Sequence, residues 1–121
     1  KEYVESTLRR LSCLGPSKVV LTGVAFDGRQ VGSASYDRST DEISYALSDT
    51  VDGYFHGTGD VFASALLGAY MNGLSLAESA RIAVDYTHGC IVRTKEADTD
   101  LRYGVDFEHG IPDLLRQTGI I

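Results

Sequence analysis

The stretch that most constrains this chain is His56-Gly57-Thr58-Gly59-Asp60, which runs directly into Val61-Phe62-Ala63-Ser64-Ala65-Leu66-Leu67-Gly68-Ala69-Tyr70-Met71. Two glycines let the backbone turn tightly. The run that follows predicts a helix from Asp60 to about Asn72, apolar nearly all round and rich in small residues, the pattern of a helix buried between other elements. A helix N-terminus presents unpaired amides and the positive end of the macrodipole, so Gly57, Thr58 and Gly59 are placed to cradle an anion. Asp60 stands beside that anion as a proton acceptor. An acid in a first helical turn also stabilises the helix on its own account, and spacing alone leaves both readings open. The turn is not a Walker loop, because no Gly-Lys-Ser/Thr follows it.

The 121 residues are enough for one domain with a modest core. Hydrophobic residues make up 43% and charged residues 23%, which excludes a disordered chain. The net charge of −6 and the lack of a basic patch argue against a nucleic-acid partner. A bound nucleotide would have to be held locally, by amides, a cation and a few basic side chains. No apolar run is long enough to cross a bilayer, and no signal peptide is visible. Cys13 and Cys90 stand alone, without a metal-ligand spacing, and read as two buried, reduced thiols.

Tyr3, Val4, Leu8 and Leu11 fall at near-helical spacing, so residues 2–13 read as an amphipathic helix ended by Gly15-Pro16. The β-branched run 18–24 reads as a strand covered on both faces. Asp27-Gly28 suggests a two-residue hairpin turn with positive φ at both positions. Strands over 30–36 and 42–47 follow, joined by a polar turn at 38–41, and their weak alternation suggests one wet face. Ser75-Leu76-Ala77-Glu78 fits a capping box. The helix it opens places Leu76, Ala80, Ala83, Val84, Thr87 and Ile91 on one face and is expected to end near Thr94, with a polar loop from Lys95 to Asp100. Pro112 marks a short terminal helix. A parallel sheet element, a small meander and these helices compose an α/β domain.

Val19-Val20-Leu21-Thr22-Gly23-Val24, the Gly57-Thr58-Gly59-Asp60 turn with Phe62 to Gly68, the segment Gly73 to Ala80, and Tyr103-Gly104-Val105-Asp106-Phe107-Glu108 occur in an order that resembles the ribokinase-like superfamily of small-molecule kinases. Within it the closest resemblance is to the vitamin B6 kinases, which act on pyridoxal, pyridoxine and pyridoxamine. The resemblance covers only the C-terminal half of such kinases. It implies that residues 1–121 are the nucleotide-binding and catalytic fragment of a larger, single-domain kinase with a three-layer α/β fold. Half of such a domain cannot cover its own sheet, so the fragment is expected to expose an apolar face and to pair with a copy of itself as a homodimer.

The resemblance further implies ATP-dependent phosphorylation of a hydroxymethyl group, with Mg²⁺ bridging phosphate oxygens. The amides of Gly57, Thr58 and Gly59 would form the anion hole, and Asp60 would be the catalytic base. Thr22 and Gly23, at the end of a strand, and the loop residues Thr50, Val51 and Asp52 would lie near the nucleotide. A strand-terminating turn explains Thr22-Gly23 equally well. No metal ligand can be named. Hydroxymethylpyrimidine (phosphate) kinases share the turn but typically carry Cys where this chain has Asp60, while sugar kinases keep an Asp. Cytoplasmic localisation, a small-molecule vitamer substrate and no membrane partner follow from the same resemblance. A fragment that is inert as an enzyme and serves as a binding or assembly module is the alternative of a different class. His56 precedes the turn and could touch a phosphate, although a loop histidine is more often incidental; His88 packs within a helix or faces water, His109 sits in the C-terminal loop, and no Ser-His-Asp hydrolase arrangement is recognisable around Ser64.

Overall fold

The computed structural model describes residues 1–53, 55–98 and 104–120. Helix α1 (Glu2–Ser12) leads into β1 (Lys18–Val24), β2 (Gln30–Asp37) and β3 (Glu42–Asp49), followed by α2 (Thr58–Met71), α3 (Leu76–Ala97), a 3₁₀ turn at Glu108–Gly110 and α4 (Ile111–Gln117). The strands form one sheet in the order β1-β2-β3, antiparallel throughout. The α/β class expected from the sequence therefore holds, but the parallel element does not appear among the described residues. The link between β1 and β2 spans only residues 25–29, and a parallel return needs a crossover of a dozen or more.

That link also differs from the two-residue turn. Gly28 has φ +78°, but Asp27 does not enter the left-handed region; its Oδ1 instead accepts the Arg29 N–H at 2.9 Å, closing a wider turn. The 38–41 turn is polar as expected, with Asp41 left-handed and Asp37 accepting from both the N–H and the hydroxyl of Ser39.

Both faces of the sheet are covered. Leu8 of α1 is fully buried against Val19, Leu21, Ala34, Tyr36, Ile43 and Tyr45, a placement that stabilises by about 1.5–3 kcal/mol for the leucine alone. The Tyr45 hydroxyl donates to Glu5 at 2.6 Å, and burial followed by that carboxylate pushes its pKa up to about 12. Arg38 donates to the Ser12 carbonyl at 2.9 Å and so satisfies the end of α1. On the opposite face, Val20 and Ala46 meet Phe62 and Ala65 of α2 and Ala80, Ala83 and Val84 of α3. The wet face expected of β2 is in fact buried: Ser33 and Ser35 are polar by type but small, and they lie on the face that α3 covers.

Helix α3 starts at the expected capping box, with Ser75 Oγ accepting from Glu78 N–H and Glu78 Oε1 from Ser75 N–H. It runs three residues past Thr94, ending where Asp98 turns left-handed at φ +52°, so Lys95–Ala97 are helical; Thr99 and Asp100 lie outside the described residues. Helix α2 packs along α3 by the buried Phe62, Ala65 and Ala69 with Leu66 beside them, while Leu67 is 62% and Met71 74% exposed. It is therefore not sandwiched and its outer face is exposed and apolar, whereas the sheet, which half of a domain was expected to leave uncovered, is covered on both faces. Cys90 is buried, but Cys13 is exposed, just past the end of α1. Among the described residues no helix is long and apolar enough to cross a membrane.

One glycine is required by close approach. A Cβ at Gly32 would run into the Ala46 carbonyl and come within 2.9 Å of Leu47 Cα. Gly32→Ala is expected to destabilise the chain by about 3 kcal/mol through forced separation of β2 from β3. Gly68→Ala, on α2 where a Cβ meets nothing within 4 Å, should stabilise by about 0.5–1 kcal/mol. Urea melts of both variants check the pair of signs.

Candidate functional site

Gly57 sits at φ +85° and ψ 3°, a conformation in which a side chain is strained, and this lets the chain swing from the loop directly into α2. The first helical bond runs from Val61 N–H to the Gly57 carbonyl at 3.0 Å. The amides of Thr58, Gly59 and Asp60 therefore have no acceptor within the helix, and among the described residues the N-cap supplies no side-chain bond to them. A Cβ at Gly59 would meet open space, so the glycine there leaves room for something outside the protein rather than for a packed neighbour.

Beside this N-terminus lies a cavity of about 420 Å³. Thr22, Gly23, Thr50, Val51, Thr58 and Gly59, drawn from three separate parts of the sequence, all line it. Gly57 and Asp60 do not: Gly57 is the cap behind the wall, and Asp60 is an exposed residue in the first turn of α2. Asp52 also lies off the wall. Gly23 is a bulge, with φ +70° and no cross-strand partner, rather than a terminating turn, and β1 resumes pairing at Val24. The bulge disrupts the ladder where Thr22 and Gly23 reach the cavity.

The far wall comes from α3, where Val84, Thr87, His88 and Ile91 face the space, joined by Val31, Phe55 and Phe62. The periodicity places Leu76, Ala80, Ala83, Val84, Thr87 and Ile91 on one face of this helix. Its first half is core, and its second half overhangs the sheet's end. The available signal was Thr87, a polar residue interrupting an apolar stripe. His88, read as packing or facing water, lines the same wall.

Helix α3 also holds the loops that shape the site. Lys95 Nζ donates to the Asp52 carbonyl at 3.1 Å, and Arg81 donates to the Leu47 carbonyl at 2.7 Å. Thr94 Oγ1 accepts the Asp106 N–H at 2.7 Å, and Arg93 donates to the Asp106 carbonyl at 3.3 Å. The segment so fixed reaches back to the turn, Val105 N–H donating to the His56 carbonyl at 3.2 Å. Of the segment quoted from Tyr103 to Glu108, Tyr103 itself lies outside the described residues.

His109 Nδ1 lies 2.8 Å from Asp106 Oδ2, and this hydrogen bond, with further help from the His109 N–H and Arg93, holds the Asp106 carboxyl below its ordinary value of 3.8. A depressed carboxylate contributes stability that is present above its unfolded pKa and lost as pH falls through the folded one. Acidification below about pH 4 is therefore expected to loosen the local turn from Asp106 to His109. The amide-exchange protection of His109 should fall as the pH drops below about 4, and Asp106→Asn should abolish that dependence.

The phosphomethylpyrimidine kinase family matches residues 1–104. No curated protein sequence matches the chain significantly. Among solved structures, a Bacteroides thetaiotaomicron protein described as a candidate phosphomethylpyrimidine kinase superposes with a TM-score of 0.86 at 27% identity, over 95% of this chain and 38% of that one. A second crystal form of it, with pyridoxal, gives 0.85 at 27% identity, over 93% and 40%. Pyridoxal kinase from Lactobacillus plantarum gives 0.83 at 25% identity, over 93% and 41%. The chain thus spans about two fifths of the length of these structures.

Proposed function

Since the chain belongs to the phosphomethylpyrimidine kinase family, we propose that it forms the nucleotide-binding and catalytic portion of an ATP-dependent kinase that phosphorylates a hydroxymethyl group on a small heteroaromatic alcohol. The observation that carries this reading is the convergence of Thr22, Gly23, Thr50, Val51, Thr58 and Gly59 on one cavity at the uncapped N-terminus of α2. Amides aimed along a helix axis into a partly enclosed space stabilise the charge that grows on a transferring phosphoryl group.

In this reading the acceptor alcohol gives its proton to the Asp60 carboxylate as its oxygen bonds the γ-phosphorus and the bond to the β-phosphate oxygen breaks, leaving ADP. Asp60 is exposed in the described residues, which leaves its carboxylate open to an alcohol delivered from outside the cavity. No three His, Cys, Asp or Glu side chains gather among the described residues, so the donor set fits a Mg²⁺ ion held mainly by the nucleotide's own phosphates and water, which would neutralise phosphate charge. The proposed acceptor is a B6 vitamer, supported by Asp60 in the place of the cysteine typical of hydroxymethylpyrimidine kinases and by the likeness to pyridoxal kinase. Hydroxymethylpyrimidine is the second reading, favoured by the family match itself. A homodimer and a cytoplasmic setting belong to the same proposal.

Calorimetric titration of this chain with Mg-ATP should give saturable binding. In a kinase carrying these residues together with the remainder that its relatives possess, Asp60→Asn should lower kcat by about 10²- to 10⁴-fold while leaving ATP affinity within about twofold. Near-normal turnover by that variant contradicts the base assignment, and a side-by-side assay with pyridoxal, pyridoxine, pyridoxamine and hydroxymethylpyrimidine decides the acceptor.

A further inference from the structure

Helices α2 and α3 are joined only by residues 72–75, so they run side by side in opposite directions. Phe62 and Ala65 of the first accordingly meet Ala80, Ala83 and Val84 of the second. Counted outward from the link, the opening residues Thr58 and Gly59 come level with His88 and Gly89 of α3. His88 thus stands on the facing helix at the height of the uncapped amides, and Thr58, Gly59 and His88 all line the cavity.

The ring is free to meet a ligand. His88 is half-buried, its imidazole makes no hydrogen bond or ion pair among the described residues, and neither ring nitrogen is sealed off by packing. Val84 and Ile91, one turn to either side on the same stripe of α3, line the cavity as well. Lys95, further along that stripe, reaches the loop at Asp52, so the stripe points at the ligand space.

Charge decides what His88 does there. Of the described residues on the cavity wall only Asp49 and His88 have ionisable side chains, and no lysine or arginine joins them. Asp49 comes from the end of β3; α2, β1, β2 and the loop after β3 add no charged described residue, since Asp52, His56 and Asp60 lie off the wall. On α3 itself, Asp85 is held by Arg81 at 2.6 Å, and Lys95 is occupied with the Asp52 carbonyl. The chain carries a net charge of −6, so an anionic ligand finds no supporting field from the surface as a whole. Imidazole is the side chain whose charge changes between about pH 5 and 8, and when protonated it offers two N–H donors to anionic oxygens.

Building on the nucleotide reading above, we propose that His88 is a binding residue for the phosphate end of the nucleotide, its imidazolium supplying the one side-chain positive charge that the described cavity wall can offer. Titration calorimetry with Mg-ATP compares the full chain with its His88→Gln and His88→Lys variants. At about pH 6 the unsubstituted chain is expected to bind about tenfold more tightly than His88→Gln, and at about pH 8 the two bind alike. His88→Lys, charged at both pH values, keeps the tighter binding at both. Protonation of ATP itself, of His56 and of His109 is common to all three proteins and cancels in the comparison. His88→Asn repeats the glutamine measurement with a shorter side chain, which separates loss of charge from altered packing of α3. Equal affinity of the unsubstituted chain and both amide variants at both pH values, or a deficit of one size at both that lysine does not restore, overturns the assignment and leaves nucleotide binding standing. Absence of Mg-ATP binding by the unsubstituted chain overturns both.

Discussion

The structure depends on how closely α3 lies against the sheet. Its contact face is made of Ser79, Ala80, Ala83 and Val84, and the sheet side it covers includes Ser33 and Ala46, all of them buried. Small groups on both sides let a helix approach with little void, and dense packing of this kind is unforgiving of added volume. With 22 residues the helix is about 33 Å long, more than the sheet needs. The surplus overhangs the end of the strands, where it becomes one wall of the cavity and the anchor for Asp52 and Asp106.

That arrangement explains why the turn at Gly57 can remain uncapped. A helix start with glycine at the cap loses only about a few tenths of a kcal/mol relative to one with a capping side chain. Here the loss is carried by packing elsewhere: Phe62 and Ala65 seat α2 on α3, and Val105 holds the backbone at His56 from the other side. The amides of Thr58, Gly59 and Asp60 stay available, and the scaffold around them is tied down. Rigid support around groups left unsatisfied is what electrostatic stabilisation of a transferring group requires.

Much of this was legible in the sequence because it rests on local chemistry. The capping box at Ser75, the turn at Gly57 and the three strands are written in short-range patterns, and they appear within a few residues of where those patterns place them. What was not legible depends on partners far away in the chain. Ser33 and Ser35 read as wet because hydropathy does not register that a helix lies over them. Helix α2 reads as buried on all sides because its composition is apolar, although among the described residues its outer face, with Leu67 and Met71, is exposed. Of the proposed site residues, those set by backbone turns were visible, whereas Thr87 and His88 were not, since a helical stripe does not show where the sheet beneath it stops.

The central claim is that the amides opening α2 and the overhanging half of α3 grip one nucleotide between them. Backbone amide shifts of this chain, followed by NMR during addition of Mg-ATP, test it directly. The account predicts saturable changes concentrated at Thr58, Gly59, Asp60, Thr87 and His88, with α1 and the sheet face beneath it unmoved. Changes confined to the α1 side, or none at the start of α2, would contradict it.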